Sequence, residues 1–538
     1  MRLGFRALVV LLPVALQAQE VHHRTWRIEF PTSASGQAQE EFLDGLTAYH
    51  LCMFEDALEH FRAAEKLAPN FAMAYWGEAL AHHRPIWSIY ERDAARAVLN
   101  RLAPTAEARL AKGGTPREKA YLSAVEVLYA DGTTSEREQA YLDAMRRVSE
   151  QYPDDTEALA LYSLMKVVGY DRSDERDRMD TARMSLEVLR RNPLHPGAPR
   201  YLIQTVDDAL HAPLGLVAVR ALQAWPEEGG SESVHISSHI YLLYGMWDEM
   251  EQTNARAFDV SMDWTKRHGA KLSDLNLHNY QHLLDFRQYS LLQLGRYRDA
   301  QDIVDRTSSD YVASGRAPQI GGAYFGSRAR YILETNQWDQ VPALADEART
   351  AGFWRNPTVL QAVGIGAAKS GKLDLARNAA QTLAGLPEPQ ARTASLAQLR
   401  AGLGTRVQPA TLEIEGLIAL AQGDEDTALS KLQASVEHAD KNPMGLLPNP
   451  SKPPQELYGE VLLKLNRPAE ALRQFDQELE LYRGRSAALL GAARANMQLG
   501  RQVAAQKRYS ELLKNWHNAN PNPPGSDEAL KALQNKSR

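Results

Sequence analysis

Residues 45–61 read Gly45-Leu46-Thr47-Ala48-Tyr49-His50-Leu51-Cys52-Met53-Phe54-Glu55-Asp56-Ala57-Leu58-Glu59-His60-Phe61, and three of these positions decide the fold. Gly45 and Ala57 are small and twelve residues apart, the separation that takes a chain along one helix, round a tight turn and back along a second until the two positions face each other. Small side chains there let two antiparallel backbones approach. Phe61, sixteen residues after Gly45, closes the core of the pair, and Pro69 follows the second helix. The small residue then returns at Ala79, 34 positions after Gly45.

The same spacing recurs at Gly364/Ala376, Gly416/Ala428, Gly459/Ala471 and Ala493/Ala505, with Leu432, Phe475 and Tyr509 in the closing position. Gly459 and Ala493 again lie 34 apart. Looser copies keep the turn, as in Gly295-Arg296-Tyr297 before Ala300 and Asn336-Gln337-Trp338 before Val341. Apolar residues recur at three- and four-residue intervals, helix formers dominate, and strand signals are nearly absent. The expected fold is all-α, an irregular tetratricopeptide-type solenoid of stacked antiparallel helix pairs.

The boundaries expected from these signals are a signal peptide at 1–18, an N-terminal extension at 19–39 and a repeat-like region with a histidine-rich middle at 40–310. Irregular pairs follow at 311–445, then a C-terminal pair at 446–517 and a polar tail at 518–538. Breaks fall near 192–199, 225–230 and 442–454, where Pro and Gly cluster. The signal reading rests on Arg2 and Arg6, the apolar run Ala7 to Leu16 and a small-residue site ending at Ala18, and it implies export, with the periplasm as destination. No later run is apolar and long enough to suggest a membrane helix. Loss of residues 1–18 removes two basic and no acidic residues, so the formal charge of −6 becomes −8, against nucleic acid as a partner. Cys52 is the one cysteine and has no disulfide partner within the chain. Gly366-Ala367-Ala368-Lys369-Ser370-Gly371-Lys372 imitates a phosphate loop, but Leu373 replaces the magnesium-binding hydroxyl residue and no strand precedes it.

The chain resembles the bacterial exported tetratricopeptide-repeat proteins of about 500 residues, and the likeness runs from end to end. It is carried by Phe71 to Ala79, by Asn192-Pro193-Leu194-His195-Pro196-Gly197-Ala198, and by Ser238-His239-Ile240-Tyr241 with Gly245-Met246-Trp247-Asp248. Leu277-His278-Asn279 and Lys452-Pro453 with Glu456-Leu457-Tyr458-Gly459-Glu460 complete it. The resemblance implies a polar, histidine-bearing site in the concave face. It also sets histidines where this chain has Arg84, Arg200, Gln204, Ser231 or Glu232, and Gln455, which implies that several contributors to such a site have been replaced.

Seven of the fifteen histidines lie between His195 and His282. His235/His239 and His278/His282 are each spaced i, i+4, which stacks two imidazoles on one helix face within reach of a single ion. Zn²⁺ or Cu²⁺ suits such donors. His195, Arg200, Asp207, Asp208 and His211 are the candidate ligand-binding additions, and the alternative to a metal is a polar site for an anionic small molecule. The first functional expectation is a scaffold that binds a protein or peptide partner in its groove; the second is a metal-binding protein or enzyme built on the histidine cluster.

Overall fold

The computed structural model describes residues 26, 28–169, 174–223, 229–274, 278–386, 394–441 and 452–534, with side chains at 274, 278–279 and 394–406 left aside. Helices follow one another along the chain and pack against their sequence neighbours, as Gly36–His50 does on Phe54–Leu67, Pro454–Lys464 on Pro468–Leu481, and Ser486–Gln498 on Gln502–Asn515. Among the described residues the only strand pairing is a two-residue ribbon, His83–Arg84 against Ile89–Tyr90. No described helix is long and apolar enough to cross a membrane.

The packing explains the repeat spacing residue by residue. A Cβ at Gly45 would come within 2.8 Å of the Phe61 ring, and one at Gly77 within 2.3 Å. Phe61 therefore sits between the helix before it and the helix after it, each of which has given up its side chain at that point. Phe475 repeats the arrangement between Gly459 at 2.7 Å and Gly491 at 2.3 Å. The second glycine of each set, Gly77 or Gly491, lies two residues before the alanine that the spacing picks out. The alanines Ala57, Ala79, Ala376, Ala428, Ala471, Ala493 and Ala505 are all fully buried. Gly416 packs on Leu432 of its own pair, whereas Gly364 packs on Ile414 of the long helix Ala394–Ala421. The phosphate-loop imitation is an ordinary repeat turn: helix Pro357–Lys369 ends, Gly371 turns with φ +74°, and helix Leu373–Ala384 begins.

Two stretches read as peripheral are part of the packed body. Phe30, in the stretch read as an N-terminal extension, is buried 5.0 Å from Tyr121 and 5.9 Å from Trp76 by ring centroids. The polar tail is corrected more sharply: Ser526–Gln534 is a helix, and its Ala529 is buried with Ala493, Ala505 and Tyr509. Its polar residues leave one apolar stripe, and Glu528 receives Arg494 and the Tyr509 hydroxyl.

The coil also closes on itself. The Trp247 indole donates to the Gly484 carbonyl at 3.0 Å, the Arg485 guanidinium to the Tyr289 hydroxyl at 2.8 Å, and the Ser486 hydroxyl to the Gln293 carbonyl at 2.6 Å. Backbone bonds join Asn520 to Gly295 and Arg298. On the other side, Ser233 donates to the Leu51 carbonyl and the Trp264 indole to Asp56. The histidine-rich middle is thus held between the first helix pair and the last repeats.

The Phe61 arrangement predicts that Gly77→Ala forces a methyl into the ring and lowers stability by about 1–3 kcal/mol in chemical denaturation. Adding Phe61→Leu should recover part of that loss, whereas additive losses in the double variant would show that the two positions do not share the space.

Candidate functional site

The Asn192 to Ala198 turn is built around His195. Its Nδ1 accepts the backbone N–H groups of Gly197 and Ala198, both at 3.1 Å, and so caps the start of helix Ala198–Thr205. Nε2 is then the protonated nitrogen, and it donates to Glu157 Oε1 at 3.0 Å. His50 completes the knot: its Nδ1 receives the Tyr201 hydroxyl at 2.6 Å and its Nε2 donates to Glu157 Oε2 at 3.0 Å. Gly197 must lack a side chain, because a Cβ would lie 2.6 Å from the Tyr201 hydroxyl and 2.8 Å from His50 Nδ1.

Every nitrogen in this knot is committed. Burial opposes ionisation of Glu157, but the two imidazoles outweigh it and hold the carboxyl below the usual range; burial likewise lowers His50. His195, expected among the ligand-binding residues, is therefore a structural tie between the first helix and two later ones. Because the Glu157 value is depressed on folding, its contribution is fully present above the unfolded carboxylate value of about 4.3 and is withdrawn as pH falls below it. Glu157→Gln turns an amide donor toward one imidazole N–H, and a loss of about 2–3 kcal/mol in urea unfolding is expected. A loss under about 0.5 kcal/mol would contradict this role.

The other candidates divide in the same way. Arg200 and Glu232, both buried, pair at 3.2 Å. The resemblance sets a histidine at Arg200 and at Ser231 or Glu232, and in this chain an ion pair joins Arg200 to Glu232. Asp208 caps the turn through Leu210 N and His211 N, and the His211 ring bridges Asp208 at 2.7 Å and Glu175 at 2.9 Å. Asp208 and His211 belong to that surface network and not to the histidine cluster. The Cys52 thiol is pushed up to about 11, chiefly by desolvation, and stays protonated at neutral pH.

His235, His239 and His282 do converge, each offering one ring nitrogen within 4.8 Å of the other two. The first two come from the consecutive helices Ser231–His235 and Ser237–Tyr244, and the third from a π-helical turn, His278–His282, that leads into helix Leu283–Gln293. An extra residue in a helical turn shifts the register of the helix beyond it, which is how such turns re-aim a side chain. The His278 side chain lies outside the described residues. The Phe286 ring stands against all three imidazoles, with centroids 4.7, 5.0 and 4.8 Å from His235, His239 and His282.

The second layer settles the tautomers. Asn254 Nδ2 donates to the Met250 carbonyl and the Ser238 hydroxyl, so its Oδ1 is the acceptor facing His235 Nδ1 at 2.7 Å. Asp207 Oδ2 accepts from His239 Nδ1 at 2.7 Å. Both Nδ1 atoms are thus N–H donors, and the two Nε2 atoms face each other at 3.2 Å. Burial, with His239 as the next cause, pushes His235 down to about 3, so that ring is neutral. Asp207, expected as a direct ligand, stands behind His239 as the group that orients it. Neither Asn254 nor Phe286 is marked by the sequence patterns, and nothing short of the packing of helix Trp247–Arg267 distinguishes Asn254.

The chain matches no family model and no curated protein. Among solved structures it is similar to the Cut9–Hcn1 hetero-tetramer of the APC/C, at 14% identity over 94% of this chain and 97% of that one, with a TM-score of 0.24. It is also similar to yeast Tom70, at 12% identity over 92% and 94% with a TM-score of 0.29. Human IFIT1, solved as a dimer with m7Gppp-AAAA, shows 10% identity over 90% and 91% with a TM-score of 0.34. Superpositions this loose carry no argument about function; the helix-pair architecture stands on the packing described above.

Proposed function

We propose that this protein is a helical-repeat frame that holds one transition-metal ion between His235, His239 and His282. The observation that carries the reading is the pair of Nε2 atoms 3.2 Å apart, whose partner nitrogens are already spent on Asn254 and Asp207. Two lone pairs at that separation require a cation between them. A proton on one ring meets that need for two nitrogens, but only a metal ion engages all three rings at once. Tetrahedral zinc with bonds of about 2.0–2.1 Å sets its imidazole nitrogens roughly 3.3 Å apart, close to the distance seen. Imidazole donors suit Zn²⁺ and Cu²⁺ alike. Asp207 and Asn254 then act as second-layer partners that fix ring orientation and raise ligand basicity.

This reading is placed ahead of a peptide-binding groove because the middle of the chain is clamped on both sides by its own repeats; partner binding on the outer faces is compatible with it. Export to the periplasm is proposed on residues 1–18 alone, whose basic start, apolar run and small-residue site support it.

Protein purified without an affinity tag and titrated with Zn²⁺ by calorimetry should bind one equivalent. His239→Ala and His282→Ala should each abolish tight uptake, and Asp207→Asn should weaken it by about 10–100-fold. Absence of binding, or binding indifferent to His239 and His282, would overturn the assignment.

A further inference from the structure

Among the described residues, the three histidines leave one direction of a tetrahedral ion without a protein ligand. No other described His, Cys, Asp or Glu joins their group within 4.8 Å. The nearest carboxylate, Asp207, is held on His239 Nδ1, the ring edge away from the ligating Nε2, so it cannot serve both as orienting partner and as ligand. Asn254 is likewise committed to His235 Nδ1. Phe286 closes one side of the cluster with an apolar ring that touches all three imidazoles and offers no donor atom. His239 and His282 are only partly buried whereas His235 and Phe286 are fully so, which puts the cluster's exposure on the side of His239 and His282.

We infer, on the basis of the metal reading above, that the ion keeps an exchangeable fourth position opposite Phe286, occupied by water or hydroxide and open to small monodentate anions. Three imidazoles leave a divalent ion its full double charge, so the fourth position is electrophilic and favours an anionic ligand. Structural metal sites fill four positions with protein atoms; sites that exchange ligands hold three and leave the fourth to solvent. A water bound there loses its proton far more readily than bulk water, which makes the position a source of hydroxide near neutral pH. The apolar Phe286 ring offers no donor atom on the side it closes.

The test uses the intact protein loaded with Co²⁺, whose visible absorption reports coordination, with cobalt content measured in the same sample. Sodium azide is then titrated in. One azide per cobalt should bind, with a saturable change in the visible bands. Stoichiometric cobalt with a spectrum unmoved by azide would show a coordinatively closed centre and overturn the inference while leaving the metal assignment intact. Failure to take up cobalt at all would overturn both.

Discussion

An aromatic ring held between two glycines is the constraint on which the rest of this molecule depends. Phe61 fills the volume that Gly45 and Gly77 vacate, and Phe475 does the same for Gly459 and Gly491. Each ring welds a helix pair to the next, so the repeat is a property of three helices and not of two. The aromatic payload, with its large buried apolar surface, stabilises the stack only because the backbones have come close enough to grip it. In the middle of the chain, where Gly215 packs on Ile240 and not on an aromatic ring, other interactions join the stack: the closure of Trp247 and Arg485 onto distant repeats, and the buried polar ties.

Those polar ties also set the two histidine clusters apart. Around Glu157, each imidazole has an acceptor for its one N–H and a donor for its one lone pair, so the set is complete without any further atom. Around His235 and His239 the N–H groups are spent and the lone pairs are left pointing at one another. Counting protons on named nitrogens separates a structural knot from a candidate metal site more sharply than counting histidines does.

Much of the fold is legible in residue spacing alone. The twelve- and sixteen-residue separations mark the buried small and closing positions, because helical geometry converts sequence separation directly into facing positions. The i, i+4 spacing of His235 and His239 likewise brings two imidazoles together, since the two short consecutive helices that carry them keep helical backbone through Ile236. Partnership across distant segments leaves no such mark. His195 and His50 are 145 positions apart and meet only because Glu157 lies between them. Asp207 and Asp208 are adjacent and chemically alike, yet one turns inward to His239 and the other outward to His211. Gly77 escapes notice because the period of 34 draws attention to Ala79, two residues further on. The helix at Ser526–Gln534 is hidden by its polar composition, since only Ser526 and Ala529 are buried in it.

If His235, His239 and His282 bind one ion together, X-ray absorption at the zinc edge of the loaded protein shows it most directly. A shell of four nitrogen or oxygen atoms at about 2.0–2.1 Å, with outer-shell scattering from three imidazoles, is the expected result. A shell without imidazole scattering, or one from which removing His282 subtracts nothing, would contradict it.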